Sequence, residues 1–600
     1  MESMANPYSF QYQTVLKHYR SWKKQLDQKN YSLSLKIAIL GGSTTAQLAD
    51  LMAVFLMSQG IKPVFYESDY NQYEEDILFD NPKLKDFAPD LLYFHTSVRN
   101  IRYWPAMTDT KASAEEKLAL QFQHHKRIWE KTAAAYGCTV IQNNWELPPY
   151  RLLGNLDQSD WRGHTRFVRE LNQRLADYAQ QTAHFFVQDL HTLASTIGLK
   201  HWHDEKLWYA YKYAMGMEGL VEIAANLSIM ILALYGKSKK CLVLDLDNTL
   251  WGGTIGDDGL DHIELGPETP SGEAHSALQR YVKELGQRGV VLAVCSKNEP
   301  HIAKEGFTHP SSVLSLSDFA NFTANWQAKS DNLQAMATTL QLGLDSFVFF
   351  DDNPAERQIV AQQLPLVSVP DIGSDVAYYV SQLSRSGYFE PALLSADDLQ
   401  RARFYQEKAK REEQSAAFAS YEEFLLSLKM KAEIKPFAPL HWERLTQLIN
   451  KTNQFNLTTR RYTFAEVEAL SQRSDYVTLY GRLADQFGDN GLVTALIGRQ
   501  EANTLLLELW IMSCRVLKRS LEQALFDELV ALCQKRQIET ICGVYRPTAK
   551  NAMVASLYAS LGFIPAGEGL DGETLWQFTI PDVYEKQNQW IEVNHETRNP

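Results

Sequence analysis

Cysteine is scarce in this chain. Its 600 residues include six, Cys138, Cys241, Cys295, Cys514, Cys533 and Cys542, and no two of them form a CxxC pair. That spacing argues against the usual zinc ligand sets and against a disulfide scaffold. No run of about 18 uncharged apolar residues occurs, as a membrane helix would need. The nearest, Leu220 to Tyr235, is interrupted by Glu222, Asn226 and Ser228. The opening Met-Glu-Ser-Met-Ala-Asn-Pro has no basic segment leading into an apolar one, so no secretory signal is visible. Positive charge is in deficit, with a net charge of −13, which disfavours nucleic acid as a partner. Internal repeats and low-complexity tracts are also missing. The expectation is a reduced, cytoplasmic protein that binds neither nucleic acid nor membrane.

What is present is ample core. A hydrophobic fraction of 45% over 600 residues predicts three to four domains. Residues 1–30 are polar and helical in pattern. Residues 31–235 alternate strands (Lys36-Ile-Ala-Ile-Leu40, Lys62-Pro-Val-Phe-Tyr66, Asp90-Leu-Leu-Tyr-Phe94, Thr139-Val-Ile141) with helices, the pattern of a parallel α/β sheet. A second α/β block spans 236–385. Residues 386–429 are charged and read as a helical connector, residues 430–580 mix strands and helices, and 581–600 form a polar tail.

The second α/β block holds the most informative segment, Val243-Leu-Asp-Leu-Asp-Asn-Thr-Leu-Trp251. A short buried strand runs into two aspartates, Asp245 and Asp247, and unpaired buried charge costs several kcal/mol. A hard cation is the usual compensation, and oxygen-only ligands favour magnesium. A carboxylate so placed can attack phosphorus while its neighbour serves as general acid and base. Alone, the pair would also fit a strand-to-turn junction. Three later segments favour the chemical reading. Val290 to Asn298 is a strand ending in the hydroxyl of Ser296; Lys329 opens a helical stretch; Phe347-Val-Phe-Phe-Asp-Asp-Asn353 is a strand ending in Asp351 and Asp352. Function at one edge of a parallel sheet is the α/β habit.

These four segments together resemble the haloacid dehalogenase (HAD) superfamily of phosphotransferases. The resemblance implies Asp245 as nucleophile and Asp247 as acid/base. It implies Thr249, Ser296, Lys297 and Lys329 as phosphate ligands, and Asp245, Asp247, Asp351 and Asp352 around Mg²⁺. The intervals between the segments leave no room for a folded cap, so an open site suited to a bulky or protein-borne substrate is expected.

The 430–580 block resembles the GNAT acyltransferase fold. In that fold a Gln/Arg-x-x-Gly-x-Gly/Ala turn holds the pyrophosphate of coenzyme A. Here the turn is Arg515-Val-Leu-Lys-Arg-Ser520, with Lys518 and Ser520 at the glycine positions, where side chains obstruct close approach to a phosphate. A strand-to-helix junction at Trp510–Ser520 and a helix over Asn551–Phe563 closed by Gly562 are further expectations.

The HAD core with its Leu250-Trp-Gly-Gly253 extension, joined to a GNAT-like block carrying Asn453-Gln-Phe-Asn456 and Met512-Ser-Cys-Arg515, resembles the FkbH-like proteins. That resemblance implies a glyceryltransferase/phosphatase that takes a glyceryl unit from 1,3-bisphosphoglycerate, removes phosphate and loads an acyl carrier protein as a thioester, in polyketide-type biosynthesis. An intermediary thiol would be Cys514, activated by Arg515 and a helix N-terminus, or Cys295, which the apolar strand turns inward. A phosphatase for a phosphorylated sugar or peptide, and a carrier-docking protein without catalysis, stay open. Gly41-Gly-Ser-Thr-Thr45 after the first strand resembles the first block of SGNH hydrolases and offers Ser43, with His191 or His203 as bases. Gly42 stands where that family has Asp, and the Gly-x-Asn-Asp block is not evident, so a degenerate scaffold or docking module is the expectation. The fold class is therefore multidomain α/β: an SGNH-like domain, a capless HAD sheet of Rossmann type, and a GNAT-like α+β domain.

Overall fold

The structure, a computed structural model, describes residues 6–31, 33–394, 396–401, 403–407, 421–486, 488–548, 550–569 and 572–594. The chain forms two compact units, Met1–Leu232 and Ala233–Pro600. Residues 395, 402 and 408–420 of the expected connector, 386–429, lie outside the described residues, while Ala396–Leu399 and Tyr421–Ser427 within it are helical.

In the first unit, a helix over Tyr12–Leu26 precedes strands β1 (Leu33–Gly41), β2 (Ile61–Glu67), β3 (Leu91–His95), β4 (Thr139–Asn143) and β5 (Phe185–Gln188). They pair in parallel in the order β2-β1-β3-β4-β5. The central strands carry near-continuous apolar runs because helices cover both faces of such a sheet. All five residues of β3 are buried, as are Ile37 to Leu40 of β1. Among the described residues one helix, Met217–Leu234, is long and apolar enough to cross a membrane, and 67% of it is buried inside the protein.

The second unit holds two sheets. β6 (Cys241–Leu244), β7 (Val291–Ser296), β8 (Asn321–Ala324) and β9 (Phe347–Phe350) form a parallel sheet in the order β8-β7-β6-β9. Every residue of β6, β7 and β9 is buried. The second is a nine-stranded mixed sheet made of β10 (Met430–Lys435), β11 (Phe455–Asn456), β12 (Tyr476–Asp485), β13 (Gly488–Glu501), β14 (Thr504–Met512), β15 (Thr540–Tyr545), β16 (Ile564–Glu568), β17 (Thr574–Thr579) and β18 (Ile591–Asn594).

In this second sheet β14 and β15 run parallel but pair only over Thr504–Leu506 with Thr540–Cys542. Beyond that point they part, and β11 fills the fork, with Phe455 and Asn456 paired to Met512 and Ile511. Arg546 N donates to Leu457 O at 2.8 Å, and Asn551 Nδ2 to Asn456 O at 2.8 Å, so the insert is tied to the β15 side as well. A polar segment without amphipathic period thus becomes a buried bridge.

Two expectations need correction. The stretch Asn551–Phe563 is not one helix but a 3₁₀ turn, Ala552–Val554, followed by a short helix, Leu557–Ser560. The Asn551 side chain accepts from Thr548 N and Oγ1 and holds the chain in a turn. Gly562 does adopt the left-handed conformation expected after a helix, with φ of 89°. The polar tail is also structural. β18 pairs in parallel with Met430–Glu433, and Tyr584 OH, Gln587 N and Asn588 N all donate to buried Asp527. The signal was weak because the strand carries only two apolar residues, Ile591 and Val593.

Asp527→Ala removes one acceptor from three donors and is expected to cost about 1–3 kcal/mol. Hydrogen exchange at Met430–Glu433 should then accelerate; unchanged protection there would show that the tail does not support the sheet.

Candidate active site

Leu244 sits in register with Val294 and Phe350, so Asp245, Ser296 and Asp351 emerge at the same carboxyl edge of the four-stranded sheet. Asp245 N donates to Phe350 O at 3.0 Å, extending the β6–β9 pairing to the aspartate itself. Lys329 reaches this edge from the first turn of the helix Lys329–Leu340. Its ammonium lies 2.9 Å from Asp245 Oδ2 and 2.5 Å from Asp351 Oδ2, with only 4% of the side chain exposed.

The electrostatics follow from this placement. Burial acts to lower the Lys329 pKa, but the Asp245 and Asp351 charges outweigh it, so the ammonium is held more firmly than usual. Burial pushes Asp351 up to about 7, the Asp245 charge adding to the effect and Lys329 opposing it. Asp352 is raised by burial and by Asp245. Asp245, Asp351 and Asp352 each offer one oxygen within 4.8 Å of the others. Asp245 Oδ1 is buried and has no hydrogen-bond partner.

The second aspartate of the motif is not part of that group. Asp247 Oδ1 accepts from Trp251 Nε1 at 2.9 Å and Ile255 N at 3.1 Å, and Oδ2 accepts from Asn298 Nδ2 at 3.0 Å. Burial raises its pKa. Thr249 Oγ1 donates to Asp352 Oδ1 and accepts from Asp352 N, both at 3.2 Å, so it orients a carboxylate. Ser296 ends β7, buried, at the same edge. Lys297 stands apart from the Lys329 cluster, its ammonium 2.6 Å from Glu356 Oε1. Cys295 is fully buried, its thiol pushed up to about 12 by burial, which agrees with inward packing.

Several supporting side chains carry little signal in the sequence. Arg357 Nη1 donates to the carbonyls of Asp351 and Asp352 at 2.8 and 2.7 Å. His275 Nδ1 lies 2.9 Å from Thr249 O, and Gln279 Nε2 donates to Leu250 O at 2.9 Å. Trp251 was the most accessible clue: a tryptophan four residues after Asp247, on a tight loop, can return its N–H to that carboxylate. Asn298, two residues past Ser296, gave no such signal.

The N-terminal part of BF1531 from Bacteroides fragilis, a protein containing a phosphatase domain and complexed with Mg, is 31% identical to this chain. The match covers 62% of this chain and 99% of that one, with a TM-score of 0.59. The model of the FkbH N-terminal domain matches residues 36–232. The chain belongs to the FkbH-like proteins of the HAD superfamily. Two acetyltransferase structures also match: the ribosomal-protein-S18-alanine N-acetyltransferase from Escherichia coli and Ard1 from Thermoplasma volcanium. The first is 17% identical over 26% of this chain and 99% of its own, with a TM-score of 0.21. The second is 14% identical over 25% and 99%, with a TM-score of 0.21. No curated protein matches.

Elsewhere in this FkbH-like protein, Cys514 opens a 3₁₀ turn, Cys514–Val516, and its side chain lies outside the described residues. The helix expected to activate it starts only at Leu521. Arg515 instead sets its guanidinium over the Phe404 ring, 4.9 Å away, and donates from Nε to Ser513 Oγ at 3.1 Å. Lys518 and Ser520, at the glycine positions of the related turn, still take left-handed φ values of 62° and 60°. The loop is held in that shape by the buried Arg519–Asp485 pair at 2.6 Å.

In the first unit, Ser43 is buried in the turn after β1. Asn100 Nδ2 donates to Gly42 O at 3.1 Å, and a Cβ on Gly42 would collide with that side chain. An aspartate at 42 is therefore excluded while Asn100 keeps its place. His203 Nε2 is engaged with Leu147 O, and Asp204 caps a helix by accepting from Leu207 N. Asp189 is taken by Asn144 and Thr192. Among the described residues no hydrogen bond joins Ser43 to a histidine.

Lys329→Met leaves two buried carboxylates without their cation, and breaking a buried pair of this kind costs about 3–5 kcal/mol. A large fall in melting temperature is expected, smaller in the Lys329→Met/Asp351→Asn double variant. Equal losses in both would mean that Lys329 does not serve the two carboxylates jointly.

Proposed function

We propose that this FkbH-like protein is a glyceryltransferase/phosphatase. It takes a glyceryl unit from 1,3-bisphosphoglycerate, releases the phosphate and loads the glyceryl group as a thioester onto an acyl carrier protein. The observation that carries the phosphatase half is the buried, unpartnered Asp245 Oδ1 at a sheet edge shared with Lys329, Asp351 and Asp352. The acyl-transfer half follows from the family and from Cys514 in the GNAT-like block.

The donor set fits a hard divalent cation. It consists of carboxylate oxygens alone, one of them buried with nothing to satisfy it, and a single lysine leaves the group short of positive charge. Asp245, Asp351 and Asp352 would hold Mg²⁺, which when bound neutralises phosphate oxygens and favours attack at phosphorus. Asp245 then attacks phosphorus, and the ester P–O bond breaks. Asp247, whose proton is favoured by burial, gives it to the leaving alkoxide. Water next attacks the aspartyl phosphate, Asp247 takes the proton, and phosphate departs. Trp251 and Asn298 keep that carboxyl in place.

For the acyl half, a thiolate attacks C1 of the acyl phosphate and the C–O bond to phosphate breaks, leaving a thioester. The carrier's phosphopantetheine thiol displaces it in a second exchange, and the first thiol is regenerated. Because β11 has taken the backbone of β14 around Ile511–Met512, that strand end presents no free edge for an extended arm. This supports a thiol way-station at the neighbouring turn over ordinary use of coenzyme A.

Asp245→Asn should abolish phosphate release while leaving the melting temperature within a few degrees of wild type; residual wild-type turnover excludes Asp245 as nucleophile. Mg²⁺ should raise the melting temperature of EDTA-treated protein, and the Asp351→Asn/Asp352→Asn variant should lose that response. If zinc alone gives the shift, the oxygen-only set is wrong. Given 1,3-bisphosphoglycerate, wild type should gain a hydroxylamine-labile adduct that maps to Cys514. Normal carrier loading by Cys514→Ala would mean direct attack by the carrier thiol, and an adduct at Cys295 would move the acyl step to the HAD sheet.

A further inference from the structure

Within the unit Ala233–Pro600 a cavity of about 430 Å³ lies between the HAD block and the GNAT-like block. One wall is the helix Lys329–Leu340, through Gln334 and Thr338, continued by Leu344. The other wall comes from three places in the GNAT-like block: Gln454, Leu517 and Met553. Gln454 directly precedes β11, the insert that fills the fork between β14 and β15. Leu517 follows the turn Cys514–Val516, and Met553 lies in the turn Ala552–Val554. Lys550, three residues before Met553, pairs with Asp345, which follows Leu344, so an ion pair joins the two walls.

Among the described residues that line this cavity, none carries a charge. A phosphate or carboxylate group would enter without a counter-charge, at a cost in lost hydration that nothing there offsets. What the lining offers is apolar surface from Leu344, Leu517 and Met553, together with the side-chain amides of Gln334 and Gln454 and the hydroxyl of Thr338. An amide side chain presents both donors and an acceptor. The Thr338 hydroxyl donates to Gln334 O at 3.0 Å, which leaves its lone pairs to accept from a ligand N–H. Pockets that enclose small organic ligands run from about 300 to 1,000 Å³, so this one has room for an extended chain. Met553 is 49% exposed, which leaves the cavity open to a ligand whose other end belongs to a larger body.

We propose that this cavity binds the pantetheine arm that acyl carriers and coenzyme A share, a neutral chain of methylenes and amides ending in a thiol. This rests on the thioester half of the proposed function. The uncharged lining rejects the phosphorylated glyceryl donor and accepts the arm, and the glutamine amides match the arm's own amides. Leu517 stands three residues from Cys514, so their Cα atoms lie within about 11 Å and the thiol end of a bound arm is close to that turn. Because β11 closes the fork between β14 and β15, the arm is directed to the face that meets the HAD helix. Among the described lining residues there is no cation for the pyrophosphate of coenzyme A, which points to a carrier as the source.

The test is calorimetry of the full chain with reduced pantetheine. Thr338→Trp and Met553→Trp fill the cavity from opposite walls, and each should weaken binding by about tenfold or more while the melting temperature stays near that of wild type. Gln454→Glu brings a charge into the cavity at nearly constant shape and should weaken binding similarly. Met553→Leu should retain it, which separates a filled cavity from a damaged turn. Coenzyme A should bind no tighter than pantetheine; a gain of about tenfold would assign the arm to coenzyme A in place of a carrier. No binding of pantetheine, or equal binding by wild type and both tryptophan variants, overturns the proposal. A hydroxylamine-labile adduct at Cys514 in that same protein would leave glyceryl transfer standing. Pantetheine binding without any such adduct would keep the cavity's assignment and remove the thiol way-station.

Discussion

Two carboxylates buried at one sheet edge repel each other, and the Lys329 ammonium between Asp245 and Asp351 makes their nearness tolerable. Much of the surrounding structure serves that arrangement. Parallel pairing of β6 with β9 sets the two aspartates side by side, and full burial of both strands keeps water from dissolving the cluster. Arg357 pins the carbonyls of Asp351 and Asp352, so the loop cannot swing their side chains away. Thr249 grips Asp352 through both its carboxylate and its backbone. The lysine neutralises one of three acids and leaves a defined deficit of positive charge.

The loop from Asn248 to Gly253 shows how the same edge positions a second acid without joining it to the first. Asn248 takes a left-handed φ of 56° and accepts from Gly253 N through its side chain, closing the loop on itself. Closure returns Trp251 to Asp247, and the indole is fixed in turn by Gly306, where a Cβ would fall 2.6 Å from the ring. Asp245 and Asp247 are two residues apart in sequence but have separate surroundings. One faces a cation; the other faces three neutral donors. Differing environments for paired carboxylates are how acid and nucleophile roles are divided.

The strand ends were legible because function is concentrated there: packing alone gives a fully apolar run no reason to stop at Asp, Ser or Asp-Asp. Lys329 was legible only through its order among those segments. Asn298, Arg357, His275 and Gln279 were not, since each acts through a contact distant in sequence, and an isolated polar residue carries no sign of its partner. Residues 515–520 differ in another way. Lys518 and Ser520 bring side chains to the glycine positions and still adopt a left-handed backbone, because the Arg519–Asp485 pair and not intrinsic preference fixes the loop. The segment Asn453–Asn456 carries no strand signal of its own because its pairing partners, β14 and the residues after β15, lie far along the chain.

Strand direction also explains why the two charged regions of the second unit do not interfere. Every strand of the HAD sheet points the same way, so carboxylates placed after the strands and lysines placed before them are separated by the apolar length of β6, Cys241 to Leu244. Four extended residues span about 13 Å, more than a Debye length at physiological salt, though through a dry core the field persists further than in water. Had either cluster been built on an antiparallel sheet, alternate strand ends would have mixed donors of both signs at each edge. The parallel sheet keeps Asp245, Asp351 and Asp352 at one edge and Lys239 and Lys240 at the other.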